Sequence, residues 1–305
     1  MKKIIVTTTI NAPTKAILKF DALEDWEMIV IGDKKTPADY KLKRGRYVGP
    51  EEQEAYDKPL SDAIGWNKMQ RRNFGFLLAH EASADIVATI DDDNIPFEGW
   101  GPNLLLEEKP PVRLYKCGLP VFDPIGATEY KHLWHRGYPI QHLHKRTYDS
   151  YEENVALDDI DVQADFWNGD PDIDAFCRME HRPECTFKDD IFPLASDKWS
   201  PFDSQNTFLK ADTLKNYFMF PFIGRMDDIW GSYFFQAMGG RVAFNKASVY
   251  QDRNVHDFTK DMVDEFLGYQ HNLKLVEALL KDPENIYDFL PKEAAASFDL
   301  YRKHF

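Results

Sequence analysis

Residues 84–94 (ADIVATIDDDN) constrain this chain more than any other stretch. Positions 86–90 are uncharged, rich in β-branched side chains, and run straight into Asp91, Asp92 and Asp93. That is the pattern of a buried strand ending in a polar site. Three adjacent carboxylates repel one another, so the strand end calls for a counter-charge. A hard divalent cation, Mg2+ or Mn2+, takes oxygen ligands and often bridges protein carboxylates to phosphates. The plain alternative is a solvated acidic turn, and the buried strand with an arginine-bearing helix ahead of it argues against that.

The residues leading to this strand read as the start of a parallel βαβ sheet. Residues 3–9 (KIIVTTT) form a first expected strand, 10–13 a turn, and 15–20 a helix; 26–31 (WEMIVI) form a second strand, closed by the loop GDKKTP. A helix is expected over 64–80, with Arg71, Arg72 and Asn73 midway, feeding the third strand at the aspartates. Ligands of such sheets sit at the carboxyl ends of the strands. Thr8, Asn11, Asp33 and Lys34 therefore share an edge with the aspartate triplet, and one of the two arginines is a candidate for facing a phosphate or nucleobase.

Composition narrows the partners. A chain of 305 residues with 43 % hydrophobic and 14 % aromatic residues supports one large α/β domain or two small ones. The formal net charge of −14, with no basic stripe, argues against nucleic-acid binding. A phosphate-bearing ligand would need local positive charge or a metal. No segment approaches the apolar length that spans a bilayer, and residues 1–10 carry only a short apolar run broken by threonines, so the expectation is a soluble, cytoplasmic protein with no integral membrane segment. Cys117, Cys177 and Cys185 are few and widely spaced, which reads as reduced structural thiols.

Beyond Trp100 the periodicity weakens. A short strand is expected at 112–116, and 122–197 is dense in Pro, Asp, His and Tyr, an irregular stretch of the kind that carries a functional surface. Residues 204–209 (SQNTFL) read as a strand near the site, and 241–244 with 248–250 as a later one. In the final long helix, Asp257 is the expected N-cap, and Met262, Phe266, Tyr269, Leu273, Val276 and Leu280 form one apolar stripe assigned to core packing.

Two further groups invite chemistry. Asp227 and Asp228 stand at an expected helix start, where capping alone explains an aspartate; across a cleft from a metal-held leaving group, a carboxylate there also serves as a general base. His132, His135, His142 and His144 cluster without a cysteine or carboxylate at a zinc-like interval, so no zinc site is expected from them. His256, just ahead of the long helix, is a candidate to return to the metal or diphosphate.

In order along the chain, TIDDDN at 89–94, RGYP at 136–139, the 167–175 segment with its PDxDA core, Asn206 in SQNTFL, and GRMDDIWG at 224–231 resemble the blocks of nucleotide-sugar-dependent glycosyltransferases of the GT-A fold. The pattern is similar to the reversibly glycosylated polypeptides (UDP-arabinopyranose mutases) and to the STELLO-type glycosyltransferases, and residues 32–40 and 253–258 lean to the STELLO side. The resemblance covers most of the chain. It implies a GT-A-like, Rossmann-type mixed α/β sheet flanked by helices: a catalytic domain over 1–255, with a nucleotide-binding half (1–100) and an acceptor-side half (101–255), and a C-terminal helical extension over 256–305. It places the donor nucleotide over the first half, with Asp33 and Lys34 near the base, Arg72 near the nucleotide, and Arg136 and Asn206 added to the donor-binding set. Mn2+ or Mg2+ would be held by Asp91 and Asp93 with Asp92 beside them. Asp228, with Asp227 next to it, would take the position of the base in an inverting enzyme. The chain departs from the mutases after the last strand, where it carries Gln251 and supplies His256 a few residues later as the remaining metal ligand. The arginine that matters in the mutases after RGYP finds no secure match in Arg146.

The function expected on this basis is metal-dependent transfer of a sugar from a UDP-sugar to a hydroxyl of a glycan, lipid-linked or small-molecule acceptor. A UDP-sugar pyranose/furanose mutase is the same-fold alternative, and a non-catalytic nucleotide- or glycan-binding protein the alternative from another class. A haloacid-dehalogenase-like phosphatase fits poorly, because its DxDx[TV] loop follows the first strand.

Overall fold

The computed structural model describes residues 1–157, 159–252 and 257–305. Eleven strands among them make one mixed sheet: β1 Lys3–Thr8, β2 Glu27–Ile31, β3 Arg46–Val48, β4 Ile86–Ile90, β5 Asn94–Pro96, β6 Val112–Tyr115, β7 Tyr151–Val155, β8 Val162–Gly169, β9 Leu194–Ser196, β10 Asn206–Lys210 and β11 Val242–Gln251. The order is β3-β2-β1-β4-β10-β8-β11-β9-β6-β7, with β5 paired to β11 off this path.

The first four neighbours run parallel, as the βαβ reading requires. β4 is buried along its whole length, and β1 is buried at Ile4, Ile5 and Val6, because helices cover both faces of a parallel sheet. The aspartates follow β4 rather than a third strand, since the short edge strand β3 precedes it. β10 then enters antiparallel, pairing Asn206 with Ile90 and Thr207 with Thr89, and so brings residues 203–206 beside the aspartates. The mixed sheet flanked by helices agrees with the expected fold class, and a single sheet runs through both halves of the chain.

The helix expected over 64–80 is two. A first helix, Lys58–Ile64, stops at Gly65, whose φ of 78° lies in the left-handed region. A short 3-10 turn, Met69–Arg71, then leads into the helix Arg72–Glu81. The break places Asn67 and Lys68 on a loop, and Met69 at the start of the 3-10 turn, beside the strand ends.

Within the irregular 122–197 stretch lies β8, an inner strand that sequence patterning missed because Gln163, Asp165 and Asn168 interrupt its apolar run. The last long helix, Phe258–Leu279, is capped by Asp257 as expected. Its core stripe differs from the expected one. Phe266 and Leu280 are each 55 % exposed, and the buried face is Glu265, Gly268, Tyr269, Asn272, Leu275, Val276 and Leu279. The stripe is rotated because two polar residues do core work: Glu265 accepts from Arg225 Nε (2.9 Å) and Tyr269 Oη (2.5 Å), and Asn272 accepts from the Trp230 indole (2.8 Å). No helix among the described residues is long and apolar enough to cross a membrane.

Candidate active site

The carboxyl ends of β1, β2 and β4 open into a cavity of about 460 Å3. Of the residues expected at the site, Thr8, Asn11, Asp33, Arg72, Asp91, Asp92, Asp93, Arg136, Asp227 and Asp228 line it. Lys34 and Asn206 do not. Lys34 is exposed, its ammonium 4.8 Å from the Trp66 ring centre. Asn206 is fully buried in the sheet: its amide donates to Phe166 O and Ser248 Oγ, and its carbonyl accepts from the Trp100 indole at 3.0 Å. It braces β10 against β8 and β11 and leaves no group for a donor. His256 lies outside the described residues.

Each aspartate of the triplet has its own neighbour. Asp91 Oδ1 takes Arg72 Nη2 at 2.7 Å. Asp92 Oδ2 accepts from Thr9 Oγ1 (2.5 Å) and Asn11 Nδ2 (3.1 Å), while its carbonyl accepts from Thr14 Oγ1, the N-cap of the helix Lys15–Asp21. The Asp93 carbonyl accepts from the Asp252 backbone N–H. All three are half-buried and line the cavity together with Gln205 and Gln251. This all-oxygen donor set fits Mg2+ or Mn2+ and lacks the sulfur and nitrogen that zinc prefers.

Across the cavity stands a second acidic group of different character. Asp227 and Asp228 open the helix Asp227–Ala237, each 2 % exposed. Asp228 is saturated: its two oxygens accept from Arg136 Nη1 (3.1 Å) and Nη2 (3.2 Å), and Oδ2 also takes the backbone N–H and hydroxyl of Ser204 (3.0 and 3.1 Å). Burial pushes the Asp228 carboxyl up, but the Arg136 guanidinium outweighs it and holds the group below the usual carboxylate range. Asp227 Oδ2 accepts from Gln70 Nε2 at 2.7 Å. Burial, reinforced by the charge of Asp228, pushes Asp227 up to about 7.

Several members of this side escaped the sequence reading as functional residues. Arg136 Nε donates to both oxygens of Asp172 (2.9 and 3.0 Å), and Arg136 donates to the carbonyl of Arg225. His135 Nδ1 lies 2.6 Å from the Arg136 carbonyl, which only accepts, so Nδ1 carries the proton; Nε2 lies 3.5 Å from Asp203 Oδ2. His135, Asp172 and Asp203 are the group among the described residues whose ligating atoms gather within 4.8 Å. Their atoms already serve one another and Arg136, so the cluster is a buried ion-pair network, with Asp172 at the cavity wall and His135 and Asp203 behind it. Only the RGYP and PDxDA blocks pointed at it. The three residues are spread over 69 positions of sequence and share no spacing signal.

Arg72 and Ser204 join the two acidic groups. Arg72, 1 % exposed, holds Asp91 with Nη2 and gives Nη1 to the Ser204 carbonyl (2.7 Å) and hydroxyl (3.0 Å). Ser204 in turn donates to Asp228.

No family model matches the chain. It is similar to the probable glycosyltransferase STELLO1 of Arabidopsis thaliana, 22 % identical over 210 residues, covering 66 % of this chain and 27 % of that protein. STELLO2 of the same plant is 23 % identical over 184 residues, covering 57 % of this chain and 24 % of that protein. The chain thus spans about a quarter of the length of these curated relatives. Among solved structures, glucosyl-3-phosphoglycerate synthase of Mycobacterium tuberculosis, crystallised with Mn2+, UDP-glucose and phosphoglyceric acid, is 14 % identical, with 95 % of this chain and 81 % of that one covered and a TM-score of 0.46. A197 from STIV is 12 % identical, covering 82 % and 83 % of the two chains, at a TM-score of 0.36.

Proposed function

We propose that the protein is a metal-dependent glycosyltransferase that moves a sugar from a nucleotide sugar, a UDP-sugar in the first instance, to an acceptor hydroxyl. The observation that carries this is one cavity lined on one side by a half-exposed aspartate triplet at a strand end and on the other by a buried aspartate with its pKa raised to about 7. The similarity to the STELLO glycosyltransferases supports the same reading. In it, residues 1–100 form the nucleotide-binding half and 101–255 the acceptor-side half.

Asp91 and Asp93 would hold Mn2+ or Mg2+, and the chemistry the ion supplies when bound is neutralisation of the leaving diphosphate. Thr9 and Asn11 orient Asp92. Arg72 fixes Asp91. Asp33, whose oxygens accept the backbone N–H groups of Lys34 (2.6 Å) and Lys68 (3.1 Å), closes the nucleoside end of the cavity. The acceptor oxygen attacks the anomeric carbon, the bond from that carbon to the diphosphate oxygen breaks, and the electron pair leaves with the nucleotide.

The proton of the acceptor goes to Asp227. The sequence assigned the base to Asp228 with Asp227 beside it, and the geometry divides the pair. Asp228, ionised and taking four donors, has little basicity to offer. Asp227 has a single side-chain donor and a pKa near neutrality, the range in which a general base works best. Asp228 and Arg136 then keep the helix start in place. Transfer by this single displacement inverts the anomeric centre.

The test is calorimetric binding of UDP with and without Mn2+, followed by turnover of UDP-sugars. Metal-dependent UDP binding together with release of UDP from a UDP-sugar is the expected result. Ring-form interconversion of a UDP-pentose without acceptor would assign the site to a mutase, and metal-dependent binding without turnover of any donor would assign it to a binding protein.

A further inference from the structure

The cavity is ionic inside and apolar at its mouth. Ile10 and Met69, which line it, are 49 % and 41 % exposed, and Phe222 beside it is 47 % exposed. The Phe222 ring centre lies 3.2 Å from the ammonium of Lys68, itself a lining residue. Met69 precedes Gln70, which holds Asp227, and Phe222 sits five residues before Asp227 on the turn that delivers it. Met69 thus lines the cavity, and the Phe222 ring stands against Lys68 at its border.

Phe222 is held outward at a cost. Its φ of 67° is a left-handed conformation that a bulky residue adopts only under constraint. Its neighbours Ile223 and Met226 are buried, 2 % and 1 % exposed. Gly224, with φ 60°, presses so closely on the helix Phe258–Leu279 that a Cβ there would lie 2.0 Å from the Asp264 carbonyl. The turn that carries Phe222 is thus fixed on both sides, at Ile223 and at Gly224.

We propose that Met69 and Phe222 are the aglycone platform of the acceptor site. The acceptor is amphipathic: a hydroxyl-bearing polar head reaches Asp227, and an apolar chain or ring attached to it lies across the two side chains. The inference rests on the glycosyltransferase reading and deepens it. A small amphiphile is the occupant, because a cavity of this size accommodates a ligand of nucleotide-sugar dimensions, leaving the rest of the acceptor at the mouth. The apolar surface there amounts to a few side chains, which matches one alkyl chain or ring; a protein partner would ask for a patch of several hundred Å2.

Protein saturated with UDP and Mn2+ is titrated calorimetrically with methyl and octyl β-glucopyranoside, the latter below its micelle-forming concentration. The octyl glycoside is expected to bind at least about tenfold more tightly. Phe222→Asn, which keeps a residue tolerant of the left-handed conformation, brings the octyl affinity to within about threefold of the methyl one. Leu280→Ser, at an exposed apolar position at the far end of the long helix, leaves the preference intact. Equal affinities, no binding of either glycoside, or equal loss in both variants overturns the platform while leaving metal-dependent UDP binding standing. Absence of UDP binding in the unaltered protein removes the glycosyltransferase reading, and the platform falls with it.

Discussion

The two acidic groups that face each other across the cavity are built from the same residue and tuned in opposite ways. Asp91, Asp92 and Asp93 are half-buried, and the partners described for their side chains are one guanidinium, one hydroxyl and one amide. Asp227 and Asp228 are sealed to 2 % exposure and pushed apart in acidity by burial on one and Arg136 on the other. Carboxylates open to the cavity are reachable by a cation from solvent. Burial converts a carboxylate pair into one fixed anion and one proton acceptor. A chain of net charge −14 thus sets aspartates in two unlike electrostatic surroundings around one cavity.

Removing a carboxylate from the open group should have the largest effect. Asp91→Asn or Asp93→Asn is expected to abolish the Mn2+-dependent part of UDP binding and to lower kcat/KM by about 10³-fold or more. Equal Mn2+ enhancement in variant and parent would break the comparison at its first side. Asp227→Asn is expected to lower kcat by about 10²-fold while UDP·Mn2+ affinity stays unchanged. A base of pKa about 7 makes kcat of the parent rise with pH up to that value, and the variant should lose this rising limb.

The same group yields a stability signature. The folded pKa of Asp227 lies above the unfolded one, so between about pH 4 and 7 the native state holds a proton that the unfolded chain has released, and stability falls as pH rises through that window. Urea unfolding of Asp227→Asn should show a shallower decline there. Arg136→Met, which strands Asp172 and Asp228 without their shared cation, is expected to cost about 3–5 kcal/mol in the same assay. The smallest effect belongs to Thr9→Val: loss of one hydrogen bond on Asp92 should weaken UDP·Mn2+ by about fivefold, on the order of 1 kcal/mol. A loss as large as that of Asp91→Asn would mean that Asp92 itself carries the ion.

Legibility in the sequence followed the range of the signal. β4 and its aspartates were readable because five uncharged residues and three charged ones are consecutive. The N-cap of the long helix was readable because Asp257 directly precedes it. The apolar stripe of that helix was misplaced because Glu265 and Asn272 look like surface residues, although each satisfies buried partners. β8 was hidden by its own polar side chains, and the 64–80 helix was drawn through Gly65. On the buried side of the site, Asp203 lies 68 residues from His135 and gains meaning only when β10 runs back beside β4. Asn206, taken for a donor contact from the block it sits in, is a strut of the sheet, since order along a chain does not tell which way a side chain turns.

The loop of aspartates is also pinned from the far side of the chain. Asp91 N–H and the Asn94 amide both donate to the Gln205 carbonyl, and β5, immediately after the triplet, pairs with β11 at Val249–Gln251. The aspartate loop therefore cannot be finished by the first hundred residues alone. Its last fasteners arrive more than a hundred positions downstream, so an isolated N-terminal piece would carry all three carboxylates in a slack loop, and any binding power would appear only once the whole sheet has zipped shut.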